Sequence, residues 1–115
     1  MLKKEYRLKK KTAFTATYKT GNIIHGKGIT LFYGKRNITS QPTKVGFVVS
    51  KKISKRAVKR NRIKRLMRES YRLIIKNKIE NNTYMSLIFV ASSNLIKKDF
   101  KYIDLEIKKI LAKIW

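Results

Sequence analysis

The residues of this chain best suited to chemistry are its cations. From Lys51 to Arg72 the sequence reads KKISKRAVKRNRIKRLMRESYR, where 11 of 22 positions are Lys or Arg and the single acid is Glu69. Such density favours phosphate binding. The planar guanidinium groups of Arg60, Arg62, Arg65 and Arg68 each present paired donors that match two phosphate oxygens, and they also stack on bases. Asn61, uncharged among them, adds a donor and an acceptor suited to a ribose, a base edge or the positioning of its neighbours. A solvated polar face is the plainer reading of most charge runs. Eleven cations against one anion is too one-sided for it.

Bond-breaking chemistry is poorly supplied. Hydrolysis by protein-held metal ions needs several converging carboxylates. The six acids are Glu5, Glu69, Glu80, Asp99, Asp104 and Glu106, spread over separate segments. Asp104 and Glu106 stand two apart and would not face each other on a helix. His25 is the only histidine and reads as a solvated loop residue, and cysteine is absent. That inventory excludes a His–His acid–base pair, a thiolate zinc site, a disulfide framework and a Cys nucleophile. Catalytic residues and metal ligands are therefore expected to be none.

The whole chain repeats the bias of its central segment. It has 115 residues, 30 Lys plus Arg against 6 Asp plus Glu, and a formal net charge of +24. Self-repulsion on that scale costs stability unless a polyanion offsets it, so nucleic acid is the first partner to consider and an anionic membrane the second. No apolar run approaches a membrane span, and the basic start lacks the apolar stretch of a secretory signal. A single domain over 1–115, cytoplasmic and without a membrane partner, is the expectation.

The elements that must position these cations can be read from periodicity. Residues 12–19 suggest a short helix capped by Thr12, with Phe14 and Tyr18 on one face. Gly21, Gly26 and Gly28 punctuate the next stretch. Ile29–Tyr33 reads as a strand, 34–44 as an exposed turn, and 45–50 as a second strand with Val45, Phe47 and Val49 on one face. A long helix begins after Ser54, a candidate cap. Its dry stripe is Ile63, Leu66, Met67, Ser70, Tyr71 and Ile74, leaving Asn61, Lys64, Arg65, Arg68 and Arg72 on the opposite side. Asn77, Asn81 and Asn82 close that helix. Residues 84–91 form a third strand. Asp99 opens a last helix with a core face of Phe100, Ile103, Ile107, Ile110, Leu111 and Ile114. The order α-β-β-α-β-α predicts an α+β sandwich, with any uncovered sheet face free to bind.

A basic helix alone would suit a DNA major groove as well as RNA. RNA binders more often add exposed aromatics and a sheet face that takes splayed single strands. Phe14, Tyr18, Phe32 and Tyr33 are available, and the last two, adjacent on a strand, must face opposite ways. Charge and size leave a ribosomal or other structural RNA-binding role as the alternative.

The segment VGFVVSKKISKRAVKRNRIKRLMRESYR resembles the signature of the bacterial ribonuclease P protein family: an apolar strand, Ser-Lys-Lys, then Arg-Asn-Arg-x-Lys-Arg and Arg-Glu on a helix. Upstream, RLKKKTAFTATYKTG resembles the family's N-terminal element, and the later strand and helix fall in the same order. The resemblance implies an α/β sandwich with a left-handed β-α-β crossover, against the usual hand. It implies a protein subunit without catalytic groups, assisting a catalytic RNA that uses Mg²⁺ to remove the 5′ leader of precursor tRNA, with one protein per RNA. By that likeness Lys51, Lys52, Arg60, Asn61, Arg62, Lys64, Arg65 and Arg68 contact the catalytic RNA, and Arg56 in the same basic run joins them. Phe14, Tyr18, one of Phe32 and Tyr33, and Val48 line a cleft for the leader.

Overall fold

A computed structural model describes residues 6–34, 43–49, 56–76, 84 and 86–114. The elements run α1 (Lys11–Lys19), β1 (Ile23–His25), β2 (Ile29–Tyr33), β3 (Lys44–Val48), α2 (Ala57–Lys76), β4 (Ser86–Ala91), a 3₁₀ turn (Ser93–Leu95) and α3 (Phe100–Ala112). The four strands form one mixed sheet in the order β1-β2-β4-β3. β2 is antiparallel to β1 and to β4, while β3 and β4 run parallel. A parallel pair needs a long crossover, and α2 supplies it.

Alternation along the strands separates two layers. Ile29, Leu31, Val45, Val49, Leu87, Phe89 and Ala91 are buried on one face with Ile63, Met67 and Tyr71 of α2 and Ile103, Ile107, Ile110 and Leu111 of α3. Phe89 is the hub. Its ring stacks on Phe47 at 5.7 Å and 12°, and Tyr71 closes on it from α2 at 5.9 Å. Among the described residues the other face carries α1 and, just before it, Leu8. The dry stripe of α2 matches expectation: Ile63, Met67, Ser70 and Tyr71 are buried, and Leu66 and Ile74 pack at its margin.

Three details differ from the sequence reading, and a fourth, the place of Glu106, is one on which it was silent. The order α-β-β-α-β-α gains a strand, because Ile23-Ile24-His25 pairs with Phe32-Leu31-Thr30; a three-residue strand is too short to show a period. His25 is consequently a strand residue, although exposed. Thr12 lies inside α1, whose N-cap is Lys10 with no side-chain hydrogen bond. Glu106 is buried on the core side of α3, where its carboxylate accepts from the Lys27 backbone N–H at 3.1 Å. Asp99 does cap α3, accepting from the Tyr102 N–H at 3.0 Å. The expected cap Ser54, strand end Ser50 and helix-closing Asn77, Asn81 and Asn82 lie outside the described residues.

Candidate nucleic-acid interfaces

The basic face of α2 exists because the opposite face is dry. With Ile63, Met67 and Tyr71 fixed in the core, the 3.6-residue repeat turns Asn61, Arg62 and Arg65 outward, where all three are exposed. Lys64, Arg68 and Arg72 flank them, half-buried. The neighbours of this face limit its motion. Arg62 donates to the Lys98 carbonyl at 3.2 Å, tying the near end of α2 to the approach to α3. Arg72 grips Glu69 through two hydrogen bonds, Nη2 to Oε1 at 2.6 Å and Nε to Oε2 at 3.1 Å. That hydrogen bonding holds the Glu69 carboxyl below its ordinary range and raises the Arg72 guanidinium. A shallow depression lined by Arg62, Arg65, Leu66, Arg68 and Glu69 has apolar walls and cationic rims, a shape suited to backbone phosphate and ribose. Arg56 is exposed at the start of the helix and Arg60 half-buried in its first turn. Lys51 and Lys52 lie outside the described residues.

The four described carboxylates are occupied elsewhere. Asp104 accepts from Ser70 at 2.7 Å and pairs with Lys108 at 2.8 Å. Asp99 caps α3, Glu106 holds the β1–β2 turn, and Glu69 is bound by Arg72. Among the described residues no group of three or more His, Cys, Asp or Glu side chains is placed to hold a metal ion.

The second candidate surface lies across the sheet from α2. Register places Gly46, Ile88, Phe32 and Ile23 in one row over the four strands, and Val48, Val90, Thr30 and His25 in the next. α1 crosses the first row. Phe14 rests directly on Gly46, where an added Cβ would stand 2.5 Å from the ring; only glycine admits this approach. Tyr18 meets Phe32 edge-on, with centroids 4.9 Å apart and planes at 80°. Ile88 beneath is fully buried. Among the described residues no helix covers the second row: Val48, Val90 and Thr30 are half-buried and His25 is exposed. Tyr18 is itself 38% exposed at the lip, and the burial of the rest raises its phenol pKa. A shallow trough results, with aromatic edges and a mixed floor, of the kind on which single-stranded bases stack.

The structure brings together Phe14, Tyr18, Phe32 and Val48 from the sequence-derived set and separates Tyr33 from them. Tyr33 points to the α2–α3 side and packs edge-on against Tyr84 at 5.1 Å. The reason is pleat: Ile29, Leu31 and Tyr33 share the core face, so Phe32 must take the other. Thr30, Val90, Ile23 and His25 were not among the sequence candidates. The alternation that selects Phe32 also selects Thr30, whereas Val90 needs the β2–β4 register and Ile23 and His25 need a strand that the sequence did not reveal.

Residues 2–115 match the family described as Ribonuclease P. The chain is 34% identical over 113 residues to the ribonuclease P protein component of Thermoanaerobacter sp. (strain X514), covering 98% of this chain and 92% of that one. It is 36% identical over 106 residues to the corresponding component of Clostridioides difficile (strain 630), covering 92% and 89%. Its fold superposes on the Staphylococcus aureus RNase P protein with a TM-score of 0.81 at 27% identity, covering 96% of each chain.

Proposed function

The chain belongs to the ribonuclease P protein component family, and on that footing we propose that its two surfaces divide the work, α2 holding the catalytic RNA and the α1 trough holding the 5′ leader of precursor tRNA. As a member it is the protein subunit of a ribonucleoprotein enzyme of tRNA 5′ processing and associates with ribonuclease P RNA. Membership decides against the ribosomal or other structural RNA-binding role that charge alone left open.

The observation that carries the division is the placement of the two surfaces on opposite layers of one sheet. The face of Arg62, Arg65 and Arg68 is cationic and shaped for a folded polyanion; guanidinium contacts to phosphate are strong and insensitive to sequence. The trough of Phe14, Tyr18, Phe32 and Val48 offers few charges and several ring faces, which suit extended, unpaired nucleotides of any sequence. β3 serves both, with Phe47 packed under Tyr71 of α2 and Gly46 and Val48 turned to the trough. An RNA held on one layer and a leader on the other would thus be joined through a single rigid sheet, one protein per RNA.

The chemistry of bond cleavage we assign to the RNA. The four described carboxylates have structural partners and do not converge, so the described residues offer Mg²⁺ no ligand set. The protein contributes charge neutralisation and position, and it favours leader-bearing substrate over mature product by binding a segment that the product lacks. The compartment we propose is the cytoplasm.

The test is reconstitution with a ribonuclease P RNA and precursor tRNA. Arg65→Ala and Arg68→Ala should weaken association with the RNA and leave the preference for precursor over mature tRNA intact. Phe14→Ala and Tyr18→Ala should do the reverse. Equal effects of both pairs on both readouts would refute the two-surface assignment.

A further inference from the structure

The aromatic side chains of the trough are only as well placed as α1, and α1 has little intrinsic means of holding itself. It is nine residues long with no side-chain cap, and isolated helices of that length are marginal in water. The chain is tied to the sheet before the helix, where the Leu8 N–H donates to the Val45 carbonyl at 2.8 Å, and α1 itself makes side-chain contacts to three adjacent strands. Tyr18 meets Phe32 of β2, Phe14 covers Gly46 of β3, and between them Thr17 reaches Ser86 of β4, with the two hydroxyl oxygens 2.5 Å apart. Both partners are sheltered, Thr17 at 2% exposure and Ser86 at 8%.

The proton order of this contact is dictated by the inventory of donors. Thr17 Oγ1 donates to the Ala13 carbonyl at 2.8 Å, within α1. A hydroxyl carries one proton, so Ser86 must donate to Thr17. Space for the pair comes from Gly34, where an added Cβ would stand 2.5 Å from Ser86 Oγ. At the other end of the helix, Thr20 Oγ1 lies 2.9 Å from the Tyr33 carbonyl. Ring contacts tolerate sliding and rotation; a short hydrogen bond between buried hydroxyls does not.

We propose that Thr17 and Ser86 are positioning residues for leader recognition, their hydrogen bond fixing the rotation of α1 so that Phe14 and Tyr18, seated on Gly46 and Phe32, edge the neighbouring row Val48–Val90–Thr30–His25 at a set height. This rests on the reading of the trough as the leader's binding surface. Loss of the bond leaves the rings present but free to roll, and selectivity for leader-bearing substrate falls although neither hydroxyl touches RNA. The two partners are unequal. Thr17→Val strands the Ser86 O–H, a buried donor without an acceptor, whereas Ser86→Ala removes the donor and leaves Thr17 bonded to Ala13.

The experiment uses the holoenzyme reconstituted from the full chain and ribonuclease P RNA, with affinities for precursor and mature tRNA measured side by side. Thr17→Val should reduce the precursor-to-mature preference by about tenfold, the scale of one buried hydrogen bond. Ser86→Ala should reduce it less, and Thr17→Ser should keep it near the parent value. Affinity for the RNA subunit and cleavage rate at saturating substrate should stay within about twofold, a discrimination that a merely structural role would not show. Unchanged preference in Thr17→Val, while Phe14→Ala lowers it, overturns the positioning role and leaves the leader reading standing. Unchanged preference in both overturns the leader reading itself. Equal loss of RNA affinity and of preference in Thr17→Val and Thr17→Ser, with a lowered melting temperature, shows general unfolding and also overturns the proposal.

Discussion

Ser70 of α2 donates its hydroxyl to Asp104 of α3 at 2.7 Å, a polar tie at the seam between the two helices that cover the core. Ser70 is fully buried, and Asp104 spans from it to Lys108 at the surface. The tie fixes α3 against the helix that carries the basic face. Removing the two partners is not equivalent. Ser70→Ala loses one hydrogen bond and leaves Asp104 paired with Lys108, a cost of about 1 kcal/mol. Asp104→Ala leaves a buried hydroxyl with no acceptor, a cost of about 2 kcal/mol. Urea unfolding should rank Asp104→Ala below Ser70→Ala; the reverse order would show that the seam is held by packing alone.

The core should be most sensitive at Phe89. Its ring touches both Phe47 and Tyr71, which also meet each other at 6.2 Å, and is fully buried. Truncation to Ala costs about 3–5 kcal/mol, a large share of the roughly 5–15 kcal/mol that holds a domain together. Phe89→Ala should therefore lose most of its cooperative melt, whereas Phe89→Leu should keep a transition at lower temperature. Near-parent melting of Phe89→Ala would mean that the three-ring cluster is dispensable.

Helix and core were largely legible in the sequence, and the trough only in part. The α2 stripe was readable because its apolar positions repeat at helical spacing, and the same count placed Asn61, Arg65 and Arg68 on the outside. β2 and the Asp99 cap were readable from β-branched residues and from a short polar side chain before an apolar period. Phe14, Tyr18 and Val48 could be named from the resemblance, but the choice of Phe32 over Tyr33 required knowing that Leu31 faces the core. The β1 strand, and with it Ile23 and His25, depends on pairing with β2, a contact no local pattern encodes. Glu106 was invisible for the same reason: its partner is a backbone N–H at Lys27, distant in sequence.

The Glu69–Arg72 pair gives a prediction in pH. Hydrogen bonding from Arg72 depresses the Glu69 carboxyl. A depressed carboxyl stabilises the folded chain above its ordinary value, and the contribution disappears as the pH falls through the depressed one. In a carbon-detected titration Glu69 should therefore protonate at lower pH than a free glutamate. Arg72→Ala should return it to the ordinary carboxylate range, and added salt should move it partway there, since both side chains are partly open to solvent. A Glu69 midpoint that ignores Arg72→Ala would show that the contact does not persist in solution.

The same pair makes a sharper prediction for RNA binding, because Glu69 is the one acid of α2 and it occupies the Arg72 guanidinium. Each cation engaged with a phosphate displaces condensed counterions, so the slope of log affinity against log salt counts the contacts, at about 0.7–0.9 per phosphate. Arg65→Ala removes an exposed cation; it should cost about 1–3 kcal/mol in affinity for ribonuclease P RNA and make the slope shallower by about one contact. Glu69→Gln acts in the opposite sense. It removes a negative charge facing the polyanion and releases Arg72, so affinity should rise and the slope steepen by about one contact, with little change in melting temperature because exposed pairs contribute little to stability. Titrations between about 50 and 200 mM salt resolve both changes. If Glu69→Gln instead weakens binding, then the carboxylate is holding Arg72 in the orientation the RNA requires, and the face acts by fixed geometry more than by the sum of its charges.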